Sequence, residues 1–553
     1  MNGVAAPGLR DAWWRAGLLA LLTLAVLASR TLMPVDETRY LAVAWEMWQR
    51  GDFLVPFRNG EPYSHKPPLM FWMFHAGWAA AGVNDITPRL VSPLLGLATL
   101  WVTGRIAAAL WPDAPWLANR AAWILLGSML FALFSEMVMF DVLLTLCVAV
   151  GVLGLALAPT TPARGFGLLA LGIGTGVLGK GPAVLLHLLP AALLAPWWLG
   201  RGTVRWPRWY AGVALALVGG AAIALAWAIP AGLRGGDAYR NAIFWGQTAN
   251  RMVESFAHQR PLWWYLPWLP LILAPWFAWL PFWRGARSVG LGSDRGARLA
   301  LTLLLPTLIA FSLVSGKQVH YLLPQFPAFA VLAARCLEGR QPAARPWFSI
   351  VALALLGGAV IAVPYLPLRP AVQALATVPA AGSAVFFALA VWMAWSPRSP
   401  ERQVTHLCTA WILALAATHL LFMRPLAPAY DVRPIAQKIA ELQAQGRPVG
   451  HDGNYHAQFQ FIGRLDKPLV VLDENGEAER WARLNPNGAL VLYFRPPHDP
   501  SAFRPLVTQP YRGRIAALFE AADALPALAE SSTEVEPDDE AQATKNPRPR
   551  PPK

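Results

Sequence analysis

The chain has 553 residues, of which 56% are hydrophobic and only 14% charged, with a mean hydropathy of +0.39. Soluble globular domains typically carry about 25% charged residues, so composition excludes that class and points to a polytopic membrane protein. Alternation of apolar and polar residues is absent from the long apolar runs, so the spans are helices and not a barrel.

A bilayer core demands about 20 apolar residues per helical crossing. Runs bounded by charge or by Pro and Gly predict thirteen spans, near 16–33, 89–110, 116–134, 137–158, 166–182, 183–199, 211–230, 262–283, 299–315, 319–337, 347–366, 372–395 and 406–423. The first run follows Arg10 and Arg15 and ends on small residues near Ala28 and Ser29, as a secretory leader does, yet many further spans follow it and no A-x-A site appears. With the N-terminus inside, the short inner segments are rich in arginine, among them Arg10, Arg15, Arg120, Arg205, Arg284 and Arg402, and poor in acids. That bias is the positive-inside signature. The net charge of +14 is then explained by topology, and nucleic acid has no place among the partners.

Three longer stretches face outward in this reading: residues 34–88, residues 231–261, and the chain beyond about 424. In a bacterium that side is the periplasm. The first holds a helix around LAVAWEMWQR, a turn-rich FRNGEPYSHKPP and an aromatic helix LMFWMFHAGWAAAG. After Arg424 the composition becomes that of a soluble domain, with helical periodicity in VRPIAQKIAELQAQ and strand-like PLVVL and ALVLYF around a helix EAERWARL. The expected organisation is therefore an all-α membrane domain over residues 1–423, a small α/β domain over 424–530, and an acidic, Pro-rich disordered tail over 531–553. Cys147, Cys336 and Cys408 all fall in apolar runs and read as packing residues. The glycines of GIGTGVLGKGP lack a strand-turn-helix context and read as close helix packing, not a phosphate loop.

Ionisable groups at the edges of spans are costly and default to functional hypotheses. Asp36, Glu37, Arg39, Lys66, Asp141, Arg251, Glu254 and Lys317 come from separate parts of the chain, and the topology places all of them at the outer face. Each also has a bland reading: Asp36 and Glu37 as acids in the first turn of a helix, Lys66 as an interface anchor, Arg251 as a loop residue, and His65, His258 and His320 as packed or solvated histidines. Asp141, alone among Met, Phe, Val and Leu, needs a partner. Lys180 in LGKGP, near the outer end of its span, reads as structural. Taken together, the cations suit a phosphate leaving group, and Asp36, Glu37 and Asp141 suit the positive charge that develops at a sugar's anomeric carbon. Tyr63, Trp72 and Tyr321 can flank a sugar or a lipid tail.

DETRY, YSHKPPLMFW, AHQRPLWWYLPWL and FSLVSGKQVHYLLPQFPAFAVL resemble motifs of the GT-C membrane glycosyltransferases that use polyprenyl-phosphate sugars, and specifically the bacterial lipid A aminoarabinose transferases. The resemblance implies a GT-C fold in the bacterial inner membrane and transfer of 4-amino-4-deoxy-L-arabinose from undecaprenyl phosphate to lipid A phosphates, with inversion. It implies Asp36 as leading catalytic carboxylate, with Asp141 and Glu37 as further carboxylates. It also implies Tyr63, Lys66, Arg251 and Arg39 about the donor phosphate, and His65, Lys317, Tyr321, His258 and Glu254 in the substrate pocket. Where enterobacterial members carry an acid immediately before the motif lysine, this chain has His65, which leaves that histidine open to a sugar or a metal. The sequence requires no cofactor, although a bound divalent metal would be compatible with it, and the chain is expected to be a monomer among membrane lipids. The rival readings are transfer of another sugar to protein or lipid, and lipid or polysaccharide transport. The absence of duplicated halves and the one-sided charge weigh against transport.

Overall fold

The computed structural model describes residues 9–200, 202–246, 260–338, 344–368, 370–395, 397, 399–474 and 476–531. Arg251, Glu254, His258 and nearly all of the expected tail lie outside the described residues.

The membrane part opens with α1 (Leu9–Ser29) and the first long polar stretch with α2 (Asp36–Arg50), a hairpin of β1 (Phe57–Arg58) and β2 (Glu61–Pro62), and α3 (Leu69–Ala81). Helix α2 stops where Gly51 enters the left-handed region at φ 61° and its N–H returns to the carbonyls of Met47 and Trp48, a closure that a residue without a Cβ makes at little cost. There follow α4 (Ile86–Leu110), α5 (Trp116–Leu126), α6 (Met129–Ser135), α7 (Phe140–Leu157), α8 (Pro162–Lys180), α9 (Ala183–Leu193) and α10 (Trp206–Arg234). Later helices are α11 (Arg295–Leu313), α12 (Phe326–Cys336), α13 (Trp347–Ala362), α14 (Ser383–Ala394) and α15 (Pro400–Thr418).

Among the described residues, seven helices are long and apolar enough to cross a bilayer, or eight if α5 and α6, bent by 70° at their junction, count as one. This is a multi-pass membrane protein. Four expected spans, 183–199, 262–283, 319–337 and 372–395, are broken into shorter pieces, and 262–283 departs furthest, as a series of turns and short helices, Leu266–Trp268, Leu269–Ile272 and Leu280–Ser288. Pro267, Pro270, Pro275 and Pro281 remove backbone donors at short intervals, so the hydrogen-bond ladder cannot propagate.

Helices α7 and α8 form an antiparallel hairpin whose backbones touch. A Cβ on Gly154 would lie 2.5 Å from the Gly165 carbonyl oxygen, and one on Gly172 would lie 2.7 Å from the Cys147 oxygen. Gly174 and Gly176 meet Ile223 and Val184 just as closely, so the glycines of this stretch serve helix packing, as expected. The same register sets Asp141, in the first turn of α7, against Lys180, in the last turn of α8. Cys147, Cys336 and Cys408 are free and buried.

Beyond the bundle, α16 (Arg433–Ala444) leads into a five-stranded sheet of order β4-β3-β5-β7-β6. Its strands are β3 (Val449–Asp452), β4 (Val470–Leu472), β5 (Ala489–Phe494), β6 (Val507–Tyr511) and β7 (Arg514–Glu520), with α17 (Glu477–Leu484) and α18 (Ala521–Ala527). Strand β3 runs parallel to β4 and β5, while β7 pairs antiparallel with β5 and β6. Every residue of β5 is buried, and its side chains alternate between two cores. Val491 and Tyr493 join Ile435 and Ile439 in the core shared with the membrane part, whereas Leu490, Leu492 and Phe494 pack toward α17 and α18.

The sheet is fastened to the first polar stretch. Trp78 stacks on Phe461 at 5.4 Å and 7°, Trp45 Nε1 donates to the Leu465 carbonyl at 3.2 Å, and Asn59 both donates to and accepts from the Leu469 backbone at 3.0 and 2.8 Å. Gly172→Leu is expected to force α7 and α8 apart and lower stability by at least about 1–3 kcal/mol, the usual cost of overpacking. Gly167→Leu, on the same helix but with nothing within 4 Å of its added Cβ, is expected to be neutral. Thermal melts of the two variants in detergent check the contrast.

Candidate active site

The stretch joining α1 to α2 is held by one buried ion pair. Arg30 grips both oxygens of Glu37 at 2.6 and 3.0 Å, and those oxygens also accept from the backbone N–H of Met33 and of Val138, at 2.8 and 3.0 Å. Arg30 donates in addition to the Glu136 carbonyl at 3.0 Å, and Arg89 to the Arg30 carbonyl at 2.9 Å. Glu37 is 1% exposed. Burial works to raise its pKa, but Arg30 and the hydrogen bonds outweigh that and hold it below the usual range. Its partner is thus Arg30, not Arg39, and all these bonds tie α2 to the entry of α7.

Asp36 precedes Glu37 by one position and is free of that staple. Val35, not Asp36, occupies the cap position, and no side-chain cap bond forms. The Asp36 carboxylate instead pairs with Arg39 and accepts from the Tyr40 hydroxyl. Burial pushes the Asp36 carboxyl up, yet Arg39, Lys66 and those hydrogen bonds prevail, and it stays ionised below the ordinary carboxylate range. Tyr40 is itself buried, edge-on to Phe140 at 4.8 Å.

The second carboxylate is Asp141, 3% exposed. Its Oδ1 accepts from Lys180 Nζ at 2.5 Å, and its Oδ2 lies 3.9 Å from His320 Nε2. A buried lone charge requires such a partner. Lys180 also sits 5.0 Å from the Tyr321 ring centre, with His320 edge-on to the same ring at 4.9 Å. Lys66 links the two carboxylates: its Nζ lies 5.9 Å from the Phe140 ring, and its charge acts on Asp36 and Asp141 alike. Tyr63, with Arg58 over its ring at 5.6 Å and His65 beside it at 5.2 Å, acts electrostatically on Arg39.

The sheet domain reaches this place through the segment after β3. His451 Nε2 lies 2.9 Å from the Tyr493 hydroxyl, to which Gln458 donates at 3.0 Å, and between them His456 comes within the electrostatic reach of Arg39, Arg58, Arg512 and Asp36. Burial first, then the three arginines, push the His456 imidazole down to about 3, so it is neutral here.

The structure therefore brings together Asp36, Arg39, Tyr63, Lys66, Asp141 and Tyr321 from the sequence candidates. It uses Lys317 differently, with Nζ donating to the carbonyls of Arg260 and Val314 at 2.9 and 2.5 Å. His65 is exposed beside Tyr63, and no group of three His, Cys, Asp or Glu side chains gathers among the described residues. Two residues were missed. Lys180, read from the sequence as structural, holds Asp141; the signal was its depth, since it ends a span at the level where Asp141 begins the neighbouring one. His456 carried no signal, because nothing local in the sheet domain shows what it will face.

Residues 65–227 match the family described as dolichyl-phosphate-mannose-protein mannosyltransferase. Over 366 residues, 62% of this chain, the sequence is 31% identical to the undecaprenyl phosphate-alpha-4-amino-4-deoxy-L-arabinose arabinosyl transferase of Pectobacterium atrosepticum, and the match spans 63% of that protein. A Pseudomonas aeruginosa protein of the same name is 31% identical over 59% of this chain and 60% of its own length. The alignment thus covers about three fifths of these relatives. The solved structure of ArnT from Cupriavidus metallidurans bound to undecaprenyl phosphate superposes with a TM-score of 0.74, at 18% identity, over 93% of this chain and 98% of that one. The chain has the fold of that ArnT, and its sequence relatives are the aminoarabinose transferases that the DETRY and YSHKPP motifs resemble.

Proposed function

We propose that this chain is an inner-membrane glycosyltransferase that moves 4-amino-4-deoxy-L-arabinose from undecaprenyl phosphate to phosphate groups of lipid A. The observation that carries the reading is that the charge of Lys66 acts on two carboxylates, Asp36 and Asp141, with Lys180 bonded to the second. A donor phosphate needs convergent cations, and a developing oxocarbenium ion needs a nearby carboxylate. Both are present at one end of the bundle.

In this mechanism an anionic oxygen of the lipid A phosphate attacks the anomeric carbon while the bond to the undecaprenyl phosphate oxygen breaks, its electron pair leaving with that phosphate. Lys66, Lys180 and Arg39 neutralise the leaving phosphate with Tyr63 beside them, and the family resemblance assigns Arg251, outside the described residues, to the same role. The acceptor is already ionised and needs no general base. Asp36 therefore serves to stabilise positive charge on the sugar or to hold its amine, Asp141 positions Lys180, and Glu37 positions α2 through Arg30. A single displacement inverts the anomeric centre.

The same reading sets the protein across the membrane thirteen times. The seven long helices and the bent pair are joined by α8 and by four crossings built from shorter or broken helices, near 183–199, 266–288, 319–336 and 380–394. The arginine-rich N-terminal end then belongs in the cytoplasm by the positive-inside bias, and an odd number of crossings sets the sheet domain on the opposite, periplasmic side together with the carboxylate site.

Lipid A from cells making the active protein should carry a pentosamine that mass spectrometry finds missing without it; identical spectra would rule the substrate assignment out. Asp36→Asn is expected to reduce transfer by roughly a hundred-fold or more with an unchanged melting temperature, and wild-type turnover in that variant would return Asp36 to a structural role. Asp141→Asn and Lys180→Met should each lower stability by about 3–5 kcal/mol, because each strands one buried charge. The double variant, with both charges gone, is expected to lose clearly less than the sum, as a thermodynamic cycle would measure.

A further inference from the structure

At the opposite end of the bundle lies a cavity of about 710 Å³, within the roughly 300–1,000 Å³ typical of small-molecule sites. The distance from the carboxylates follows from α1. Asp11 and Trp14, in its first turns, line the cavity, while its last residue, Ser29, adjoins the Arg30–Glu37 pair. A helix of 21 residues separates the two places by about 30 Å. Nothing in the transfer reaction uses this cavity.

Its walls are aromatic and charged, with Arg120 and Arg402 facing Asp11 and Glu401. Trp14 and Trp116 are half-exposed at its rim, and Trp392 lies on His406 with ring centres 3.9 Å apart. Arg120, 7% exposed, donates to Glu401 at 2.8 Å and to the Leu337 carbonyl at 2.9 Å, and Arg402 also faces the space. Arg15 stands 5.2 Å from the ring centre of Trp123, another lining residue. Trp123 is 2% exposed, and among the described residues its indole N–H has no acceptor. The acids are already engaged, Glu401 by Arg120 and Asp11 by Asn119.

We propose that this cavity binds the headgroup of an anionic glycerophospholipid from the leaflet opposite the transfer site. Two arginines and two acids line the space, and Arg15 over Trp123 adds a third guanidinium beside it; indole N–H groups and guanidinium groups both donate to phosphate oxygens. Tryptophan at the rim suits the headgroup level, where its ring sits against the first acyl carbons. Basic pockets between transmembrane helices on this side are a recurring solution for acidic lipids. The site is independent of the sugar that the enzyme transfers.

Native mass spectrometry of the full chain in detergent, with dioleoyl phosphatidylglycerol and dioleoyl phosphatidylethanolamine added in turn, tests the proposal. Wild type is expected to retain phosphatidylglycerol at least about fivefold better. Arg402→Glu and Trp14→Ala, both at exposed positions, should each remove that preference. Arg208→Glu, at the same end of the bundle on the first turn of α10 but outside the cavity, should keep it. Equal retention of the two lipids by wild type overturns the proposal, as does undiminished phosphatidylglycerol retention in Arg402→Glu. An equal loss in Arg208→Glu marks general charge attraction and overturns it too.

Discussion

An ionised side chain removed from water has to meet its counter-charge, and in this chain that requirement fixes where distant segments lie. Arg30 needs Glu37, which brings the exit of α1 to α2. Lys180 needs Asp141, which joins the ends of α7 and α8. Two further pairs have one partner exposed and one sheltered: Arg234 reaches Asp52 at 2.8 Å, joining α10 to the first polar stretch, and the buried Arg120 reaches Glu401 at the other end of the bundle. Each pair on its own contributes little net free energy, because desolvation consumes most of the attraction. What the pairs supply is specificity, since any arrangement that separates them strands a charge in a medium that cannot solvate it.

The same requirement separates two carboxylates that stand side by side in the sequence. Glu37 is saturated by Arg30 and two backbone donors, so it has no capacity left for chemistry. Asp36, one position earlier, points to the other side of the helix start, pairs with Arg39, accepts from Tyr40 and lies in the field of Lys66, His320 and His456. Adjacent helical residues project about 100° apart, and here that angle turns the two carboxylates toward different partners.

Much of this was legible in the sequence. Apolar runs marked the long helices because length and hydropathy are local properties, and the two outer helices at 36–50 and 69–81 fell where their periodicity put them. Asp141 advertised itself as a charge among apolar residues. The thirteen evenly drawn spans were less legible: the prolines of 262–283 break the helix there, and hydropathy averages over such breaks. Partner choice was the other blind spot. Lys180 reads as structural until the hairpin register sets it against Asp141, and His456 cannot be assigned until the sheet domain docks through Trp78 and Asn59. Pairings between residues tens to hundreds of positions apart leave no periodic trace.

The glycine contact between α7 and α8 has one more implication. Helices separated by side chains can slide or tilt as those side chains change rotamer, but helices in backbone contact at Gly154 and Gly172 have no such play. The spacing of the Asp141 and Lys180 backbones is a hard stop, indifferent to which lipids surround the bundle or how their tails pack. Any change in the distance between the Asp141 carboxylate and the Lys180 ammonium is then left to the two side chains, since the backbones that carry them are fixed against each other.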